Sequence, residues 1–257
     1  MSANISRREA ITYAAAAAGA AALGMTAPAP RANAAPGLRL IDFATRQVAP
    51  ERIKAAGYDG ALVYVSELRP GATFDFKPVT REFTDGLRAN GLHVVSIYQY
   101  GKPGWVNSPS DFTRGFDGGV ADAQTALRIH GAAGGPATAP IYFSVDEPLD
   151  YTTWKNVALQ WFRGLNSVLG VERTGIYGGV NELGWAIGDG VVGQSTTPGY
   201  RWAWQTKAWS GGKLHPAAPL YQMEVVTASD PGALIDGISV DVDQVFAADF
   251  GQWDLPR

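Results

Sequence analysis

The chain contains no cysteine. Thiol catalysis, disulfide bridges and cysteine-based metal sites are thereby excluded. Histidine is nearly as scarce: His93, His130 and His215 are the three present, none paired at short range, so the usual imidazole zinc site lacks its ligands. Basic residues do not exceed acidic ones. The 21 Lys and Arg against 24 Asp and Glu give a net charge of -3, with no basic footprint for nucleic acid. No run reaches the ~20 strongly apolar residues that a membrane span needs. The Gly-x-Ser-x-Gly elbow of serine hydrolases is missing. After the first strand-like run, "DFATRQVAP" offers no glycine with which to cradle a phosphate.

What is present is a chain of 257 residues, 46% hydrophobic, long enough for one large α/β barrel or two small domains. Its first segment does not read as fold. Arg7-Arg8 precede an alanine-rich apolar stretch from Ala10 to Met25, and Ala32-Asn33-Ala34 form a small-residue cleavage pattern. The twin arginine predicts a Tat-type signal over 1–34, leaving a secreted or cell-wall-associated chain from 35 to 257 with no stable membrane span.

In that mature chain, strand-like runs alternate with helix-like ones. Strands are expected at 38–44, 60–67, 92–101, 139–147, 173–179, 200–206, 219–225 and 237–246. Helices are expected at 49–58, 79–91, 118–136, 152–170 and 180–190, with little helix between the last three strands. Such alternation predicts parallel pairing, and eight strands predict an α/β fold of the (β/α)8 TIM-like barrel type, helices reduced on the closing side. A doubly wound open sheet is the competing fold. No linker or repeat divides the chain, so one barrel domain is expected.

Strand side chains alternate faces. Steps of two align Leu40 with Asp42, Tyr64 with Ser66, Ser96 with Tyr98, Tyr142 and Ser144 with Asp146, and Ser239 with Asp241 and Asp243. One face of each strand is apolar, and the other grows polar towards its C-terminal end, as inside the mouth of a barrel. Asp42, Asp146 and Asp241 are therefore expected to converge, with Tyr64, Tyr98, Tyr177, Gln205 and Gln222 around them. Asp243 either joins them or is structural. Glu147 has the opposite parity but stands at the strand end, where the chain can twist inward. Trp105, Trp202, Trp204 and Trp209 are candidates for a groove.

Converging carboxylates repel, so at least one should retain a proton. A protonated acid beside an ionised one is what glycoside hydrolysis requires. Tyrosine and glutamine supply faces and hydrogen bonds for sugars. A divalent cation on clustered aspartates is the competing use; the reading adopted assigns no metal and no cofactor.

The motifs "LIDFA", "GYDGALVYV", "PIYFSVDEP", "GIYGG", "WAWQT", "LYQME" and "VDVDQVF", in this order, resemble the glycoside-hydrolase-like domain family of Tat-exported actinobacterial proteins. That family is similar to the family 25 glycoside hydrolases, the lysozyme-type muramidases. The resemblance spans about 37 to 250 and implies a barrel acting on cell-wall peptidoglycan or another polysaccharide. It matches Asp42 to the muramidases' first-strand Asp and Asp241-Val242-Asp243 to their last-strand motif. Their fourth-strand Asp-x-Glu reads Ser144-Val145-Asp146 here. The acid role accordingly falls on Asp146 or on Glu147, with Asp42 and Asp241 assisting, or else the site binds glycan or a protein partner without cutting.

Overall fold

The computed structural model describes residues 37–105 and 107–255. The export signal expected over 1–34 lies outside them. Seven strands follow one another in parallel: β1 (Arg39–Phe43), β2 (Gly60–Tyr64), β3 (His93–Tyr98), β4 (Ile141–Ser144), β5 (Thr174–Gly178), β6 (Ala203–Thr206) and β7 (Leu220–Glu224). Among the described residues the ring closes through one more strand, β9 (Ile238–Val245), which pairs with both β7 and β1. A short β8 (Ala233–Ile235) pairs with β9 from outside the ring. This is the expected eight-stranded barrel.

Crossover helices follow the first five strands. They are α1 (Pro50–Ala55), α2 (Arg81–Ala89), α3 (Gly115–Ala132), a composite of α4 (Tyr151–Thr153), a π-helical turn (Trp154–Ala158) and α5 (Leu159–Leu169), and α6 (Val180–Gly188). Among the described residues none follows β6 or β7, so helices are indeed reduced on the closing side. Helix α2 shows the local logic. Thr80 caps it by accepting a hydrogen bond from Phe83 N (3.2 Å). Phe83 and Leu87, one turn apart, turn the same face inward and are buried. Gly91 then takes a positive φ of 67° and lets the chain turn into β3.

One expectation fails. The eighth barrel strand is not parallel: β9 runs antiparallel to β1 and to β7. The connection after β7 stays at the mouth: there β8 pairs with the first residues of β9 and hands the chain directly to it, so β9 starts near the mouth and runs downwards. The tight turn into it, Asp236-Gly237, has positive φ at both residues, as two-residue hairpins favour. The reversal matters for the site. Asp241 stands opposite Asp42, whereas Asp243, further along the chain, stands opposite Leu40 and lies deeper in the barrel.

Candidate functional site

A cavity of about 320 Å³ opens at the end of the barrel where β1 to β7 finish. Asp42, Tyr64, Ser144, Asp146, Tyr177, Trp204, Gln222 and Asp241 all line it. Strand alternation accounts for most of this. β4 turns Ser144 inward, and the same parity carries Asp146, just past the strand end, to the mouth. Phe143 instead packs edge-on against Trp161 of α5, 5.8 Å between ring centroids.

Gln222 organises one side. Tyr177 donates its hydroxyl to Gln222 Oε1 (2.8 Å), which fixes the amide's orientation. Gln222 Nε2 then faces two acceptors, Asp42 Oδ2 at 2.9 Å and Asp241 Oδ2 at 3.1 Å. Tyr64 donates to the other oxygen of Asp42 (3.2 Å), and Val226 N donates to the other oxygen of Asp241 (2.6 Å). Asp146 stands apart from this pair and accepts a hydrogen bond from Gln99 Nε2 at 2.8 Å.

These carboxyls are poorly solvated, and burial dominates their titration. It raises Asp146 above the ordinary carboxylate range, against the pull of Lys102, Gln99, Lys77 and Arg69. Burial, then the neighbouring Asp42 charge, pushes Asp241 up to about 8. Burial also lifts Asp42 to about 6, opposed by hydrogen bonds from Gln222, Asp243 and Tyr64. Asp243 is fully buried, raised well above its ordinary value by burial and then by the charges of Asp42 and Asp241. Trp204 Nε1 donates to Asp243 Oδ1 (2.7 Å), while Oδ2 receives no donor. Burial and the two neighbouring charges favour the protonated form of Asp243.

Three sequence expectations need correction, and a fourth residue, Asp243, resolves to one of its two alternatives. Tyr98 points out of the barrel and donates to Asp122 of α3 (2.6 Å); Ile97 and Gln99 face the cavity instead. Polarity misled here because the polar face of β3 is the outer one: Ser96 also turns outward, to His130 Nδ1 (2.8 Å), while Val95 and Ile97 share the inner face. Gln205 turns away as well, accepting from His215 N (2.7 Å) and donating to Lys213 O (2.7 Å), so that it ties down the loop after β6. Its neighbour Trp204 takes the inward place. Glu147 does not line the cavity; its carboxylate accepts a hydrogen bond from Ser110 Oγ. Asp243 lies beneath the cavity wall rather than on it, the structural alternative already open for it. Of the four tryptophans, Trp204 and Trp209 line the cavity. Trp202 is spent on Glu172 O (2.8 Å) and Trp105 on Pro70 O (3.2 Å).

Sequence reasoning also missed Gln99, Arg69, Lys77 and Lys102, all lining residues. Gln99 follows β3 at the parity of Ile97. The cations lie in loops, where no periodicity marks them.

Comparison with known proteins gives three findings. The family described as "Rv2525c-like, glycoside hydrolase-like domain" matches residues 51–245. A protein of Mycobacterium tuberculosis (strain ATCC 25618 / H37Rv) named "Putative peptidoglycan hydrolase Rv2525c" is 37% identical over 256 residues, covering 97% of this chain and 99% of that one. The crystal structure of the Mycobacterium tuberculosis Tat-secreted protein Rv2525c in complex with L-tartrate superposes with a TM-score of 0.74 at 38% identity, covering 84% of this chain and 98% of the other.

Proposed function

Since the chain belongs to the Rv2525c-like, glycoside hydrolase-like domain family, we propose that it is an exported hydrolase of cell-wall peptidoglycan glycan strands. In this reading Asp146 is the proton donor and Asp42 the anionic partner. The observation that carries the proposal is the convergence of Asp42, Asp146 and Asp241, from three distant parts of the chain, on one cavity that also presents Tyr177 and Trp204.

The roles follow from the surroundings of each acid. Burial lets Asp146 keep a proton to a higher pH than a free aspartate would, which suits a group that protonates the leaving glycosidic oxygen. Asp42 receives donors from Tyr64 and Gln222 on both oxygens, and these favour its ionised form. It can then stabilise, or attack, the oxocarbenium-like centre. Asp241, raised to about 8, holds its proton at neutral pH. It therefore sits beside Asp42 without full charge repulsion. Tyr177 and Trp204, with ring centroids 4.5 Å apart, form an aromatic wall for a sugar ring.

Export through the Tat route is part of the same proposal. It is supported by Arg7-Arg8 and by the relative described as Tat-secreted.

The test is digestion of purified peptidoglycan with analysis of the released muropeptides. Asp146→Asn should lower the rate by about 10²–10⁴-fold, the usual worth of a general acid, with the Tm kept. An unchanged rate would remove Asp146 from the mechanism. A second reading, a barrel that binds glycan without cutting, is favoured by one observation: Ser144 stands where the muramidase pattern has a second acid. Wall binding by the unsubstituted protein with no new muropeptides would select it.

A further inference from the structure

The cavity has a basic wall that the scheme above does not use. Arg69 and Lys77 come from the loop after β2, and Lys102 from the loop after β3; all three line the cavity. Arg69 and Lys77 are almost wholly buried, 4% and 7% exposed. Among the described residues, none of the three lies within ion-pair distance of a carboxylate. Their hydrogen bonds go to neutral carbonyls: Lys77 Nζ donates to Gln99 O (2.7 Å) and Arg69 Nη1 to Tyr100 O (3.1 Å). The buried Arg69 Nε meets no acceptor.

Aromatic rings hold the two side chains in place. Arg69 lies over Trp105 and Phe74, 4.9 and 5.1 Å from their centroids, and Lys77 lies 4.1 Å from the centre of the Tyr64 ring. Buried cations are ordinarily paired, because removing a charge from water is costly. Here ring faces and carbonyls offset only part of that cost, and burial pulls Lys77 down to about 7. Asp111 and Asp146 attract Arg69 and Lys77, but from beyond ion-pair distance, so both cations lack a carboxylate in contact and the cavity offers that place to an anion.

The geometry points to a subsite for a carboxylate carried on the sugar substrate, seated against Arg69, Lys77 and Lys102 in the same cavity as the aspartates. The inference rests on the glycan reading and narrows it to acidic sugars. Two glycan carboxylates have this chemistry: the lactyl ether of a muramic acid that carries no stem peptide, and the C6 acid of a hexuronic acid. Arg69 and Lys77 would act as positioning residues, setting where along the glycan the bond nearest Asp146 lies.

The experiment is an NMR titration of the unsubstituted protein with N-acetylmuramic acid, glucuronic acid, the methyl ester of each, and N-acetylglucosamine. At pH 6 at least one acid should bind tenfold or more tightly than its ester, and the preferred acid identifies the source. Arg69→Gln and Lys77→Met should each erase that preference and leave ester binding in place. The acid–ester comparison needs no substitution, so it stands even if a variant folds poorly. Equal binding of acid and ester would overturn the subsite while leaving the glycan reading intact. If no sugar binds, acidic or neutral, the glycan reading falls and the subsite with it.

Discussion

Gln222 keeps Asp42 and Asp241 from simply repelling one another, by donating to both from one nitrogen. Protons in such a cluster belong to the group as much as to any member. The consequence for stability has a definite sign. Asp241 titrates at about 8 in the folded chain, against 3.8 for an unperturbed aspartate. Between those values the native state holds a proton that the unfolded chain has released, so stability falls as pH rises through the window. Asp241→Asn removes this dependence. Measured Tm of the variant relative to the parent should therefore climb steadily between pH 4 and pH 8, whatever constant offset the lost Gln222 contact adds. A difference that does not vary with pH would mean that Asp241 is ionised throughout. The same residue scale explains why Tyr98 was misassigned. Its hydroxyl is satisfied by Asp122, which also accepts from Trp161 Nε1 (2.8 Å) and pairs with Arg114 at 2.7 Å. Tyr98→Phe should cost about 0.5–1.5 kcal/mol of stability, the usual net worth of a hydrogen bond, and leave peptidoglycan turnover within about twofold. A turnover loss as large as that of Asp146→Asn would contradict the outward placement.

At the scale of elements, the helices after β3 and β4 are in backbone contact. A Cβ on Gly164 of α5 would lie 2.1 Å from Phe116 O of α3, and one on Gly119 would lie 2.1 Å from Trp161 O. Two glycines thus let α3 and α5 approach closely enough to brace β3 and β4, which present Gln99 and Asp146. Overpacking costs typically about 1–3 kcal/mol, against ~1 kcal/mol gained from alanine's helix propensity. With rigid backbone as the obstacle, Gly164→Ala should lower the Tm measurably; an unchanged or raised Tm would show that the helices part freely. Element by element, strand order and the inward turn of β1, β4 and β5 were legible in the sequence, because apolar and polar residues alternate cleanly there. β3 and β6 were not legible. Their outward polar groups are buried and satisfied by partners far along the chain, such as His130 for Ser96 and His215 for Gln205. The antiparallel course of β9 was not legible from the absence of a helix, because β6 and β7 are also joined without one and run parallel; it follows from the β8–β9 pairing at the mouth.

For the whole molecule, closing the ring through β9 places the first and last strands side by side, so that Asp42 and Asp241, distant in the chain, become cross-strand neighbours. Loops after β2 and β3 add cations, and the end of β4 adds Asp146. The cavity thus has an acid cluster, a separate half-buried acid and a basic wall. The most direct measurement is a crystal structure of Asp146→Asn with a peptidoglycan tetrasaccharide. The predicted result is a glycosidic oxygen within hydrogen-bond reach of the substituted side chain and the adjoining sugar facing Asp42. A tetrasaccharide bound elsewhere on the surface, with the cavity filled only by solvent, would contradict it.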